Sequence, residues 1–431
     1  MGFNEVINEI SAISKPFQKK EDLTSLIESL KDKKIVMLGE SSHGTSEFYK
    51  WRTEISRELI ENHGFNFIAV EGDWPPCQKI NSFVRQNDSA LDPLSVLKNF
   101  SRWPTWMWAN YEVLNLMEWM SEFNQNTFSQ DLKVGFHGLD VYSLYESIGV
   151  MAEMLSKIDS DLADKVMRYY SCFDPYLHDE KAYARSLFKY PDGCQSQVAE
   201  ALFELFKNKI EDIDILQNGY IIEQAERYYR SMVTGEDSWN IRDQHMMSTL
   251  DRLLHQYGPE SKGIVWAHNT HIGDYRATDM VFQGQVNIGG LAREKWGREK
   301  VALIGMTTYT GSVIASHAWD GTVEVMNIPA AKSGSLEDLL HQAIAQLGHS
   351  QYYFLLDQVS PDSALQDFRG HRAIGVVYHP AHESHGNYVP TKLTQRYDAM
   401  IFFDVTSALT PLRLDFDPQK IPETYPFGAR L

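Results

Sequence analysis

The stretch Lys33–Gly44, KKIVMLGESSHG, constrains the fold of this chain more than any other. Ile35–Leu38 is a short apolar run, partly β-branched, that stops at Gly39. It reads as a buried strand entering a turn. Glu40 and His43 stand just past that turn, and a helix follows, with Ser46 as its N-cap and its body running from Glu47 to about His63. A strand, a turn bearing titratable groups and a helix make the unit that opens a ligand crevice at the carboxyl edge of an α/β sheet.

The same unit recurs. Phe67–Val70 runs into Glu71 and Asp73, and Leu132–Phe136 into His137 and Asp140. Ile264–Ala267 runs into His268, Asn269 and His271, and Val301–Ile304 into Gly305 and Thr307. If these strands are parallel neighbours, Glu40, His43, Glu71, His268 and His271 share one rim.

The expected fold is therefore α/β: a central, mostly parallel sheet flanked by helices, with an inserted all-helical subdomain covering the site. At 431 residues the chain exceeds what one core ordinarily supports. Residues 1–158 read as the first part of the α/β core and 159–258 as the helical insertion. Residues 259–431 complete the core, with strands expected at Tyr352–Leu356, Ala373–Tyr378 and Met400–Val405. Three tryptophans within residues 99–111 either line a pocket mouth or pack in the core, and packing is the default for such a cluster.

A formal charge of −18 argues against nucleic-acid or anionic-membrane partners. No apolar run is long enough to span a bilayer, and the N-terminal residues, with Glu5 and Glu9, lack the pattern of a secretory leader. Cys77, Cys172 and Cys194 have neither redox nor zinc spacing, so reduced thiols and a cytoplasmic location are expected.

In the helix that follows the first strand, Phe48, Arg52, Ile55 and Leu59 share one face. Arg52 thus lies within an apolar stripe. Either it pairs with Glu40 or Glu71 at the strand ends, or it snorkels to Glu47 or Glu54. In SWNIRDQHM, Asn240, Arg242 and Asp243 fall in the first turn of a later helix, where capping and dipole pairing account for them. No nucleophile elbow, P-loop, dinucleotide fingerprint or HExxH is present. His268 with His271, and His379 with His382 and His385, have spacings compatible with metal ligands, although the second set reads as a solvated loop. Glutamates and histidines without a serine or cysteine nucleophile point to water as the attacking group.

The segments GESSHGTSEFYKWR, AVEGDWP, RWPTWMW, HGLDVYSL, WAHNTHIGDYRAT, VNIGGLAREKWG, TTYTGSV and RYDAMIFFDVTSALTPL resemble the erythromycin esterase family, in order, from about Lys34 to Leu412. The resemblance implies a carboxylic ester hydrolase, with macrolide lactones and antibiotic resistance as the family's theme and a small-molecule ester as the partner. It implies no cofactor, and no metal is assigned. Carried over by position, it makes His43 the base that activates water and Glu71 and Arg52 its positioning groups. His268 would bind or polarise the ester, with Glu40 and His271 completing the polar network. Two alternatives stand beside it: a metal-dependent hydrolase with Glu40, His43, Glu71 and His268 as ligands, and a non-catalytic small-molecule-binding or biosynthetic accessory protein.

Overall fold

The computed structural model describes residues 3–87, 91–127 and 129–423. Its strands are β1 (Lys15–Pro16), β2 (Ile35–Leu38), β3 (Phe67–Val70), β4 (Gly135–Gly138), β5 (Gly263–Trp266), β6 (Val301–Ser316), β7 (Val323–Ile328), β8 (Gln351–Leu355), β9 (Arg369–Arg372), β10 (Tyr388–Thr391) and β11 (Ala399–Thr406). The main sheet runs β1-β8-β11-β6-β2-β5-β3-β4, with β7 folded back onto β6. The six strands from β11 to β4 are parallel, and β1, β7 and β8 join antiparallel. The fold is α/β with a mixed, mostly parallel sheet, as expected.

β2 and β3 are apolar at every position because both faces of the sheet are covered. Val36, Leu38, Ile68 and Val70 point into one core, against the helices Thr24–Leu30, Ser46–His63 and Tyr111–Gln125. Ile35, Met37, Phe67 and Ala69 point into the other, against Phe3–Ile13, Ser238–Gln256 and Leu336–Leu347. Between β4 and β5 the described residues form helices and turns, and those from Leu144 to Thr234 share a third core that includes Met151, Leu155, Val166, Leu205 and Tyr229. Trp103, Trp106 and Trp108 are buried in the first core, as packing requires. No helix among the described residues is long and apolar enough to cross a membrane.

Several local expectations are corrected. Thr45, not Ser46, is the residue flanking the helix Ser46–His63; Ser46 is its first residue and donates to Glu112. The strand expected at Leu132–Phe136 is Gly135–Gly138, and Leu132 sits exposed at the end of the 3-10 helix Gln130–Leu132. Gly135 leaves the space taken by the Tyr257 hydroxyl, so the strand is set by close packing rather than by an apolar run. Residues 373–378 form no strand; they make single bridges, Ile374 to Ser42 in the loop after β2 and Val377 to Ser316 at the end of β6. Cys172 and Cys194 are not two free thiols but a disulfide with Cα atoms 5.9 Å apart, because both lie in the helical region where two turns meet; Cys77 is free and buried.

Candidate active site

The carboxyl ends of β2, β3 and β5 are adjacent, since β5 pairs with both of the others. Each strand ends by releasing its chain into a tight loop, so Glu40, Glu71 and His268 emerge side by side. All six residues singled out from the sequence meet here, and none is more than 4% exposed.

Gly39 and Gly44 bound the first loop. A Cβ on Gly39 would overlap the Asn269 side chain, and one on Gly44 would overlap the Ile314 carbonyl, so only glycine admits these approaches. The loop is pinned further by Asn269 N–H donating to Glu40 O, Ile374 N–H to Ser41 O, and both Ile314 and Leu409 N–H to Gly44 O.

Within the loop, His43 Nδ1 lies 2.9 Å from Glu40 Oε1. A carboxylate only accepts, so Nδ1 carries the proton and Nε2 presents its lone pair. Nε2 lies 3.9 Å from Glu71 Oε1, too far for a direct bond but suited to a bent bridge through one water. Behind the pair, Arg52 Nη2 stands 2.8 Å from Glu40 Oε2, off-axis for a hydrogen bond. Its guanidinium is held between the rings of Tyr49, at 4.3 Å, and Trp266, at 4.8 Å. Of the two readings of Arg52, the structure gives the buried one: it is fully buried and pairs with Glu40.

Glu71 is the hub of the opposite half. Its Oε2 accepts from His268 N–H at 2.8 Å, and its Oε1 lies 2.8 Å from Arg242 Nη2 and 3.3 Å from His271 Nε2. Burial alone would raise this carboxyl, but His271, Arg242 and His43 outweigh it and hold the carboxyl well below its ordinary range. His271 is gripped on its other side by Asp243, with Nδ1 2.9 Å from Oδ2. Burial pulls its pKa down, yet Asp243 and Glu71 prevail and push it up to about 9. At that pKa His271 carries a proton on both nitrogens at neutral pH, whereas Arg242 Nη1, which only donates, lies 3.1 Å from Nε2 and meets its lone pair in the neutral ring; Trp239 stacks on the ring at 4.4 Å.

His268 is its opposite. Burial, then the neighbouring His43, hold its pKa well below 6.5, so it is neutral. Its Nδ1 accepts from Thr270 N–H at 3.3 Å, which places the proton on Nε2. That Nε2 makes no hydrogen bond of good geometry, although the Ser41 backbone is near enough to favour a proton there. The His43 and His268 rings are 4.9 Å apart.

From the sequence, two members, Arg242 and Asp243, are assigned to helix capping rather than to the site. Arg242 reaches Asp140 through a two-point pair, Nε to Oδ1 at 2.9 Å and Nη2 to Oδ2 at 2.6 Å, and also contacts Glu71. Asp243 holds His271 and accepts Ile288 N–H. The first turn of the helix Ser238–Gln256 is capped instead by Asp237. A signal was present: Arg242 and Asp243 precede Met246, Met247 and Leu250 on a buried face, the situation that marked Arg52. His137, by contrast, lies within β4 away from the site, stacked on Trp74 and bonded to the Tyr257 hydroxyl at 2.9 Å. His379, His382 and His385 are exposed.

The carboxylates that a metal would need are engaged already, Glu40 by His43 and Arg52, and Glu71 by Arg242, His271 and a backbone N–H. Among the described residues, no group of three or more His, Cys, Asp or Glu is arranged to hold a metal ion. What the site offers is a backed histidine lone pair, a neutral imidazole whose ring lies 4.9 Å away, and Arg242 and His271 beside them: the parts for activating water and stabilising an oxyanion.

The family model described as erythromycin esterase matches residues 60–406; Glu71, His268 and His271 fall inside that range, and Glu40, His43 and Arg52 precede it. The chain is 27% identical over 351 residues to the putative hydrolase YbfO of Bacillus subtilis, covering 75% of each chain. It is 23% identical to an erythromycin esterase type II of Escherichia coli, covering 70% of this chain and 75% of that one. A solved mutant of the erythromycin esterase EreC, in its open conformation, superposes with a TM-score of 0.61 at 18% identity, covering 95% of this chain and 99% of the other, a likeness of fold.

Proposed function

The chain belongs to the erythromycin esterase family, and from that premise we propose that it hydrolyses a carboxylic ester with water activated by His43. The observation that carries the reading is the one-directional chain Arg52–Glu40–His43, which ends in an Nε2 lone pair whose recorded neighbour among the described residues is Glu71 Oε1 at 3.9 Å.

A water between His43 Nε2 and Glu71 Oε1 gives its proton to Nε2 as its oxygen attacks the ester carbonyl. Glu40 stabilises the imidazolium that forms, and Arg52 holds Glu40 in register. The oxyanion develops toward His268 Nε2–H, with His271 and Arg242 supplying positive charge at close range. Collapse of the tetrahedral species expels the alkoxide, which takes the proton back from His43. The products are a carboxylic acid and an alcohol; from a lactone, one ring-opened hydroxy acid. Macrolide lactones are the substrate class that the names of its relatives suggest.

Incubation with a macrolide and with a simple activated ester, followed by mass spectrometry, tests the reading. The expected result is a product heavier by one water from the macrolide and the separate acid and alcohol from the simple ester, and His43→Ala should lower turnover by about 10²–10⁴-fold with the melting temperature retained. Turnover by that variant at the parent rate removes His43 from its role. A negative ester panel, together with tight binding of an unhydrolysed ligand, favours a binding protein instead.

A further inference from the structure

Behind the candidate active site lies a second buried carboxylate–histidine pair, which the proposed reaction does not use. His371 Nδ1 stands 2.6 Å from Glu337 Oε1, and neither side chain is more than 1% exposed. The same oxygen accepts from Thr307 Oγ1 at 2.8 Å and from Arg372 N–H at 3.0 Å. These donors moor β9, which carries His371 and Arg372, to β6, which carries Thr307, and to the helix Leu336–Leu347, which carries Glu337. A carboxylate buried this deeply is costly unless it is paired and hydrogen-bonded, so the pair is held in one geometry.

From this mooring two contacts run to the two halves of the site. His371 Nδ1 gives its proton to a carboxylate, so its Nε2 turns a lone pair toward the Asn269 amide nitrogen at 3.4 Å. That nitrogen also donates to Met306 O at 2.9 Å, which fixes the orientation of the amide. Burial holds the His371 pKa below its ordinary value, against the pull of Glu337 and with Arg396 and Arg372 beside it, in keeping with a neutral ring. Asn269 follows His268 in the chain, and its N–H donates to Glu40 O at 2.8 Å. Just past His371, Ile374 N–H donates to Ser41 O at 2.8 Å, between Glu40 and His43. One short segment anchored on Glu337 therefore grips the His268 turn with a side chain and the His43 loop with its backbone. Asn269 has no slack to absorb a shift, because its Oδ1 fills the space that a Cβ on Gly39 would need.

We propose that Glu337 and His371 are positioning residues that set the separation of the His43 and His268 rings, whose centroids lie 4.9 Å apart. The kinetic consequence rests on the esterase reading; the geometric one does not.

Two substitutions separate positioning from mere support. His371→Asn keeps an amide N–H where Nδ1 lies, so Glu337 stays paired, but it withdraws the lone pair from Asn269. His371→Gln brings a carbonyl oxygen near the Nε2 position and gives up the bond to Glu337. The asparagine variant should keep the higher melting temperature yet lose kcat by about 10–10²-fold at little-changed KM. The glutamine variant should melt lower yet retain more of kcat. Losses of kcat that rank with the losses of melting temperature overturn the proposal. A second readout needs no substrate: with isotope-labelled histidine in the full chain, long-range proton–nitrogen NMR correlations report the His43 and His268 rings. Both signals should move in His371→Asn and stay in His341→Ala, which breaks the His341–Asp404 pair on the same helix. Unmoved signals in His371→Asn, or equal movement in the two variants, overturn it. Signals that move in a protein whose parent cleaves no tested ester uphold the positioning and refute the esterase reading alone.

Discussion

The indole of Trp239 stacks on the imidazole of His271 at 4.4 Å, with the two planes 6° apart. Trp239 lies one turn before Asp243 on the same helix, so one helical face both pairs with His271 and covers it. Trp239→Ala should admit water to the ring and lower its pKa from about 9 toward 6.5. The readout is the alkaline limb of the kcat/KM profile, which should move to lower pH in Trp239→Ala and stay in Trp239→Phe. An unmoved limb in the alanine variant means that the stack does not shield the charge.

His271 also ties stability to pH. Its folded pKa, about 9, stands above the unfolded value near 6.5. Its contribution is therefore fully present below pH 6.5 and fades as pH climbs through about 9. Denaturation midpoints of the parent should fall over that window, and His271→Gln should flatten the slope there. The buried His137 and His245 act oppositely, because burial holds each at about 3. They remain neutral in the fold while the unfolded chain takes up protons, so stability should fall as pH drops from 6.5 toward 3. A parent midpoint constant from pH 6.5 to 9 contradicts the charge assigned to His271.

Arg52 and Glu40 form a buried pair. Replacing Arg52 by Met leaves Glu40 as an uncompensated interior charge and should destabilise the fold by about 3–5 kcal/mol. Glu40→Gln in the same chain should recover a large part of that loss. Equilibrium denaturation of both single variants and the double variant measures it, and strictly additive losses show that the two are not coupled.

The disulfide between Cys172 and Cys194 spans 22 residues. Loop-closure entropy for that span corresponds to about 3 kcal/mol, so replacing both cysteines by serine should cost roughly that much under oxidising conditions. Alkylation before and after reduction, read by mass spectrometry, should count one free thiol and then three. Three thiols before reduction means that the bond does not form.

Legibility in the sequence followed the kind of force at work. β2 and β3 were read to the residue because an uninterrupted apolar run leaves no other home for itself. β4, GFHG, was misplaced because its position comes from close packing at Gly135 and Gly138, which hydropathy does not register. Glu40, His43, Glu71, His268 and His271 were visible as polar groups at strand ends. Arg242 and Asp243 were hidden because capping and dipole pairing explained them locally, whereas Arg242 meets Glu71 across 171 positions of sequence. The disulfide was missed because the thiols approach only once the helical region has folded.

The loop from Gly39 to Thr45 is clamped by backbone contacts to Asn269, Ile314, Ile374 and Leu409, with no clearance for a side chain at either bounding glycine. That half of the catalytic chamber works as an anvil. The other half hangs from side-chain contacts made by Trp239, Arg242 and Asp243 on one helix. With every principal group nearly sealed from solvent, the proposed reaction on a bulky ester would require that helix to yield, opening the pairs of Arg242 and His271 while the loop bearing His43 keeps its backbone anchors.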